Sequence, residues 1–190
     1  METNIHTKHH NKDDSGRSTE VERYIEEGVN WVLSQITLSA EGLTPSVVDI
    51  GCDYGFGLHL FREKANALVI GIDPYASINP FDIPISKEWS KTGFAHADLV
   101  VFNHSLEHFD SPKEIMAKAL NTFSPKFVYL GLPEATASWA IWEGHESIWT
   151  EQWMIEFMHR FGYVSKAVEK RCFRKDFVEL WGIFQKEDSV

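Results

Sequence analysis

Short, almost wholly apolar runs alternate along this chain with stretches whose apolar residues recur every three to four positions. The runs are "SVVDIG", "ALVIGID", "DLVVFN" and "FVYLGLP", rich in β-branched and aromatic residues. They predict strands buried on both faces, as in a parallel sheet. Val21, Ile25, Val29, Val32 and Ile36 recur at helical spacing and predict an amphipathic helix over 19–38. Thr19 and Glu22 form its capping box, and "EGLTP" ends it. "LHLFREKA" predicts a second helix. Ser111, Pro112 and Glu114 supply the cap, first-turn proline and capping-box partner of a third, which stops near "NTFSP". Thr150 caps "EQWMIEFMHRF", and Gly162 follows it in the C′ role. "YVSKAV" and "DFVELWGIFQ" are the last two strands. The connection around "EKRCFRKD" is too short for a crossover, so they pair antiparallel. The stretch 75–97 is less regular, with a strand candidate at "FDIPI". The whole pattern predicts one α/β domain over residues 19–190, with helices on both faces of a mostly parallel sheet.

Composition narrows the class. Residues 1–18 carry almost no apolar surface and are expected to form a disordered tail. The chain of 190 residues has a formal net charge of −10, which argues against broad nucleic-acid binding. Cys52 and Cys172 make no disulfide framework. No run has the length of a membrane span, and the first residues lack the apolar core of a secretory signal. A cytoplasmic protein with no membrane partner is the expectation.

Residues 104–108, "HSLEH", match the H-x-x-E-H signature of one zinc peptidase group. That signature needs one helix through all five residues. Here a strand runs to Asn103 and the next helix starts at Ser111, leaving only a turn. No third ligand is evident downstream, so no metal site is expected. His6, His9 and His10 in the tail are adventitious metal binders at most. In this setting His104 is a candidate at the mouth of the sheet. For Glu107 and His108 a local role in the turn is favoured.

The first strand ends in "DIGCDYGFG", residues 49–57, ahead of a helix N-terminus. Gly51, Gly55 and Gly57 allow tight turning and close approach of a ligand to the backbone. The spacing is neither a nucleotide P-loop nor the G-x-G-x-x-G of dinucleotide enzymes. Asp73 closes the second strand, where an acid following a glycine loop commonly takes ribose hydroxyls.

Taken in order, "VVDIGCDYG", "VIGID", "ADLVVFNHSLEHFDSPKEIM", "FVYLGLP" and "HESIWTEQWMIEFMHRFGYV" resemble class I S-adenosylmethionine-dependent methyltransferases, in particular the small ones that act on metabolites. The resemblance covers about residues 45–185. It implies a Rossmann-like seven-stranded sheet of order 3-2-1-4-5-7-6 with the last strand antiparallel. It implies S-adenosylmethionine as cofactor, held by Asp49, Gly51, Cys52, Asp53, Gly55, Asp73, Asn103 and His104. Asp53 stands where the family usually has glycine, and Asp82 and Glu88 are left open as adenine contacts. His104 and His145 are the candidate general bases. Trp142, His145, Arg171 and Arg174 are expected to border a small-molecule acceptor, with Trp139 and Trp149 nearby as lid or packing residues. Lys170, Arg171, Arg174 and Lys175 in an acidic protein suggest either an anionic acceptor, methylated on oxygen or nitrogen, or a solvated basic edge that discourages strand pairing, the latter slightly favoured. A binding or partner protein of the same fold without catalysis is the second reading. The oligomeric state stays open.

Overall fold

The computed structural model describes residues 19–38, 42–137, 140, 144–174 and 177–187. The expected tail over 1–18, Trp139, Trp142, Lys175 and the side chain of Arg174 lie outside the described residues. Seven strands form one sheet: β1 (Ser46–Ile50), β2 (Leu68–Ile72), β3 (Ile85–Ser86), β4 (Leu99–Asn103), β5 (Phe127–Pro133), β6 (Tyr163–Arg174) and β7 (Phe177–Lys186). Their order is β3-β2-β1-β4-β5-β7-β6. β1 pairs in parallel with β2 and β4, and β4 with β5, whereas β7 runs antiparallel to both β5 and β6. The sheet expected from sequence is therefore present, with β7 reversed.

Helices α1 (Thr19–Gln35), α2 (Phe56–Ala65), α3 (Pro112–Phe123) and α4 (Glu151–His159) complete the domain. The sheet divides its apolar side chains between two clusters. One gathers Val48, Ile50, Val100, Phe102, Leu130 and Phe184 with Met116, Phe123, Met154 and Phe157 of α3 and α4. The other gathers Val47, Val69, Leu99, Val101, Tyr129, Trp181 and Ile183 with Val29, Val32, Leu58 and Phe61 of α1 and α2. All seven residues of β5 are buried, which is why its sequence lacks a polar phase. Full burial of each large apolar side chain contributes about 1.5–3 kcal/mol, so both faces are needed to hold the sheet.

Three local expectations change. Thr150 caps α4 as expected, its side chain accepting from Trp153 N, but Ser111 makes no side-chain cap. At α3 the Ser111 carbonyl instead accepts from Glu114 and Ile115 N. The "FDIPI" strand shrinks to Ile85–Ser86, just after Pro84. The segment expected as a basic loop is strand: β6 runs to Arg174, with register irregularities at Ser165/Ala167 and Cys172/Arg174. Lys170 and Arg171 therefore stand on an edge strand and not on a loop.

Candidate active site

The order reverses between β1 and β4, so the chain leaves their carboxyl ends in opposite directions and opens a crevice there. The glycine loop lines one side. Gly51 adopts φ 79, and a Cβ on it would overlap Ser105 Cβ on the opposite wall. Only glycine meets both demands. Asp53 itself takes the left-handed conformation at φ 48, which Asp tolerates better than most residues. Its side chain is exposed, and its N–H donates to Asp73 Oδ2 at 2.9 Å. Gly55, at φ 83, caps α2, whose first amides face the crevice end of the loop. Cys52 turns its sulfur inward against the site of Gly71, and burial pushes its thiol pKa up, so this residue offers the loop its backbone.

Asp73 Oδ1 accepts from Tyr75 N at 2.8 Å and Ala76 N at 3.1 Å. Together with the Asp53 contact, its carboxylate ties the loops after β1 and β2 to each other on one side of the crevice. Asp49 lies beneath, 6% exposed, and its Oδ1 accepts no hydrogen bond among the described residues. Burial, then the nearby Asp73 charge, lifts its pKa from 3.8 to about 8. A buried acceptor without a donor is costly unless a ligand supplies one. This cradle fits a ligand with an ammonium group and a sugar hydroxyl pair. Asp82 and Glu88 stand farther along. The Asp82 carbonyl accepts from Arg62, and Glu88 pairs with Lys91 at 2.7 Å.

The other wall is built from β4, β5 and β7. His104 adopts φ 51 directly after β4, and its N–H donates to the Gly131 carbonyl. Its ring lies between two buried carboxylates, with Nε2 2.9 Å from Glu179 Oε1 and Nδ1 3.4 Å from Glu107 Oε1. Burial opposes a charge on this ring, but Glu179 and Glu107 outweigh it and hold the pKa at about 10. His104 is thus an imidazolium at neutral pH. It has no lone pair with which to act as the general base expected from sequence. Glu179 also accepts from Trp181 Nε1 at 2.6 Å. Gly131 has no Cβ because Asn103 Oδ1 and the Tyr129 hydroxyl occupy that space.

"LEH" forms one short 3-10 turn, as the flanking elements require, and Glu107 is fully buried in it. The Glu107 carbonyl accepts from Glu146 N at 2.7 Å and Ser147 N at 3.2 Å, which docks the post-β5 segment onto this turn. His145 thereby meets His108, their ring centroids 4.8 Å apart. Burial lowers the His145 pKa, so its ring is neutral. Trp149 packs in the core at 1% exposure, edge-on to Phe157, and is not a lid. Lys170 pairs with Glu134 at 3.1 Å and Arg171 with Glu169 at 3.0 Å, the latter's guanidinium lying over Trp181. Their charges are largely answered within the protein. A recess of about 590 Å³ lined by Lys87, Glu88, Trp89, Lys118 and Thr122 shares only Glu88 with the residues expected from sequence.

A family model described as a methyltransferase domain matches residues 20–174. The chain belongs to this methyltransferase family. No curated protein matches it in sequence. Among solved structures, it resembles the 1,6-didemethyltoxoflavin-N1-methyltransferase of Burkholderia thailandensis, solved with its substrate and S-adenosylhomocysteine. Identity is 16% and the TM-score 0.65, with 88% of this chain and 78% of that one covered. It also resembles the magnesium protoporphyrin IX methyltransferase of Synechocystis PCC 6803, solved with S-adenosylhomocysteine, at 14% identity and TM-score 0.65, covering 87% and 84%. The small RNA methyltransferase HEN1 aligns at 18% identity and TM-score 0.62 over 86% of this methyltransferase-family chain but 25% of its own. The fold is the Rossmann-like class I methyltransferase fold.

Sequence reasoning brought out Asp49, the glycines, Asp73 and His104, and the fold gathers them at one crevice. It passed over Glu179, Tyr129 and Ser105. Glu179 had a signal: on alternate positions of β7 it shares a face with Trp181 and Ile183, and a lone acid in that phase is out of place. The structure places Glu107, set aside in the sequence, at the centre of the second wall.

Proposed function

We propose that this protein transfers the methyl group of S-adenosylmethionine to a nucleophilic oxygen or nitrogen of a small-molecule acceptor. The observation that carries this is Asp49, a buried carboxylate with an orphaned oxygen beneath a left-handed glycine loop at the sheet's reversal point. When bound, S-adenosylmethionine supplies an electrophilic methyl carbon on a cationic sulfur. Asp49 is placed to take its ammonium N–H groups, and the 51–55 backbone to surround its methionine part. Asp73 is the residue for the ribose. Asn103 and His104 stand at the end of β4 where the acceptor and methyl must meet.

The acceptor's nucleophile forms the new bond to the methyl carbon as the carbon–sulfur bond breaks and its electron pair stays on sulfur. The acceptor's proton leaves to water or a basic group. Alignment of the two partners supplies most of the rate, because the methyl is already activated. His104 contributes fixed positive charge and position, not basicity. His145, neutral and half-buried at the lip, is the ring with a lone pair to offer.

A net charge of −10 supports a small acceptor over a long polyanion. The pairing of Lys170 and Arg171 with Glu134 and Glu169 gives an anionic acceptor little support. Calorimetric titration with S-adenosylmethionine and with S-adenosylhomocysteine tests the proposal. Saturable one-to-one binding of both is expected. Absence of heat and of thermal stabilisation would favour the non-catalytic reading instead.

A further inference from the structure

We propose that Glu107, His108 and His145 form a binding site for a first-row divalent metal ion, at the lip of the crevice. One carboxylate oxygen and one nitrogen from each ring lie within 4.8 Å of one another. Three further observations point to a cation.

First, Glu107 is 0% exposed, and neither of its carboxylate oxygens accepts a hydrogen bond among the described residues. Its ring neighbours are His104, with Nδ1 at 3.4 Å, and His108, with Nε2 at 4.0 Å. His104 supplies positive charge on one side of this buried carboxylate, and a metal ion on the side of His108 and His145 would share it.

Second, both histidines are oriented through the other ring nitrogen. His108 Nδ1 lies 2.8 Å from the Gly144 carbonyl, and His145 Nδ1 3.2 Å from the Ala140 carbonyl. A carbonyl only accepts, so each Nδ1 carries hydrogen. With Nδ1 engaged on a carbonyl, Nε2 is the nitrogen of each ring left to coordinate. Fixing the second nitrogen on a backbone carbonyl is the usual way a metal-binding histidine is held.

Third, the set is braced by backbone. The Glu107 carbonyl accepts from the N–H groups of Glu146 and Ser147, the two residues after His145, so the loop bearing the third ligand is tied to the turn bearing the other two. This supplies the downstream ligand whose absence from the sequence pattern had argued against metal. His108 remains 27% exposed at the side chain, which leaves a route for an ion.

Two imidazoles and a carboxylate suit zinc, cobalt or manganese better than calcium or magnesium. Metal–nitrogen bonds of about 2.0–2.1 Å require the three atoms to close by roughly an ångström, within reach of small side-chain rotations. Three protein ligands leave at least one position open. If the methyl-transfer reading holds, on which this last step rests, that position takes an oxygen of the acceptor. The ion would then lower the pKa of an acceptor hydroxyl, the task the sequence had given to a histidine base.

The test uses the full chain with His6, His9 and His10 replaced by Ala, which removes the tail's own metal affinity. Co²⁺ is titrated and its visible absorption recorded, with Zn²⁺ competition followed by calorimetry. One equivalent is expected to bind, with the absorption of a mixed nitrogen and oxygen site. His145→Ala, at a half-buried position outside the helices and strands, is expected to weaken binding by at least about tenfold with little change in metal-free melting. His108→Gln provides a second variant should either fail to fold. Lack of a saturable equivalent, or equal binding by His145→Ala and His108→Gln, overturns the site. Cofactor titration on the same samples separates the two readings. Cofactor binding without metal binding overturns this site alone, and metal binding without cofactor binding overturns methyl transfer alone.

Discussion

Replacing Asp49 by Asn should strengthen the free protein and weaken its grip on cofactor. The carboxyl is buried, and its pKa of about 8 against 3.8 means that ionising it in place costs on the order of 5 kcal/mol. At pH 7 about nine in ten free molecules carry the proton. Because the folded pKa lies above the unfolded one, the folded state binds more protons between these values. Asp49's contribution to stability is therefore complete below about pH 4, falls as pH rises, and is at its lowest above about pH 8. Asn removes this loss. Asp49→Asn should be more stable than wild type at pH 8.5 by at least about 2 kcal/mol, with the gap closing towards pH 4.

Ligand binding has the opposite demand. An ammonium beside Asp49 requires the carboxylate, so S-adenosylhomocysteine should drive off close to one proton per molecule at pH 7. Calorimetry in phosphate and in Tris, whose ionisation enthalpies differ, reads that number from the change in apparent enthalpy. Asp49→Asn should show no proton release and bind about 100-fold more weakly, the loss of one charge-assisted hydrogen bond at about 1.5–3 kcal/mol. Tight binding by wild type with no buffer dependence at pH 7 would refute the reasoning, because Asp49 would then either be ionised already or take no part.

Other perturbations separate neighbouring terms. Gly51→Ala combines φ 79 with an overlap on Ser105 and should lose about 2–4 kcal/mol in urea unfolding, whereas Gly93→Ala, at φ 72 with open space around it, should lose only about 1–2. Glu179→Gln removes one of the two charges facing His104. Its imidazole resonance, followed by NMR, should titrate well below the wild-type value of about 10. Since His104 is raised in the fold, its contribution to stability is full below about pH 6.5 and lost as pH rises through about 10. The variant should flatten that decline. Thr150→Ala should cost about 1 kcal/mol by removing the cap on Trp153 N, and Ser111→Ala should cost less in the same melt, because Ser111 makes no side-chain cap.

The parts of this protein legible in the sequence are those whose physics is local. Apolar runs such as "FVYLGLP" must be buried on two faces, and a glycine loop before a helix must turn tightly, whatever surrounds them. The last hairpin pairs antiparallel as expected, and only its loop is shorter than the sequence suggests, because β6 is an edge strand. Among its described side chains only Tyr163 is buried, so charged residues from Glu169 to Arg171 cost the strand nothing and imitate a loop. Charged side chains on an edge also discourage pairing with another sheet, which gives them a use without any ligand. His104 shows a different limit. A histidine at the end of a strand is a candidate base in any sequence, and only Glu179, from β7, and Glu107, from the turn, decide that it carries a proton instead.

"HSLEH" shows the limit most clearly. No helix runs through the motif: Leu106–His108 form a single short turn after β4. It removes the peptidase geometry, in which both histidines share a helical face. It does not remove the chemistry of Glu107 and His108. A ligand set needs convergence in space, and the third member, His145, lies 37 residues beyond His108 in sequence with no periodicity linking them. Two backbone hydrogen bonds to the Glu107 carbonyl make the link. The acid at the centre of the turn is therefore used twice, its carbonyl fixing the segment that carries His145 and its carboxylate lying within 4.8 Å of one nitrogen of each ring. Neither follows from residue type or spacing, and both follow once β4 and β5 lie side by side.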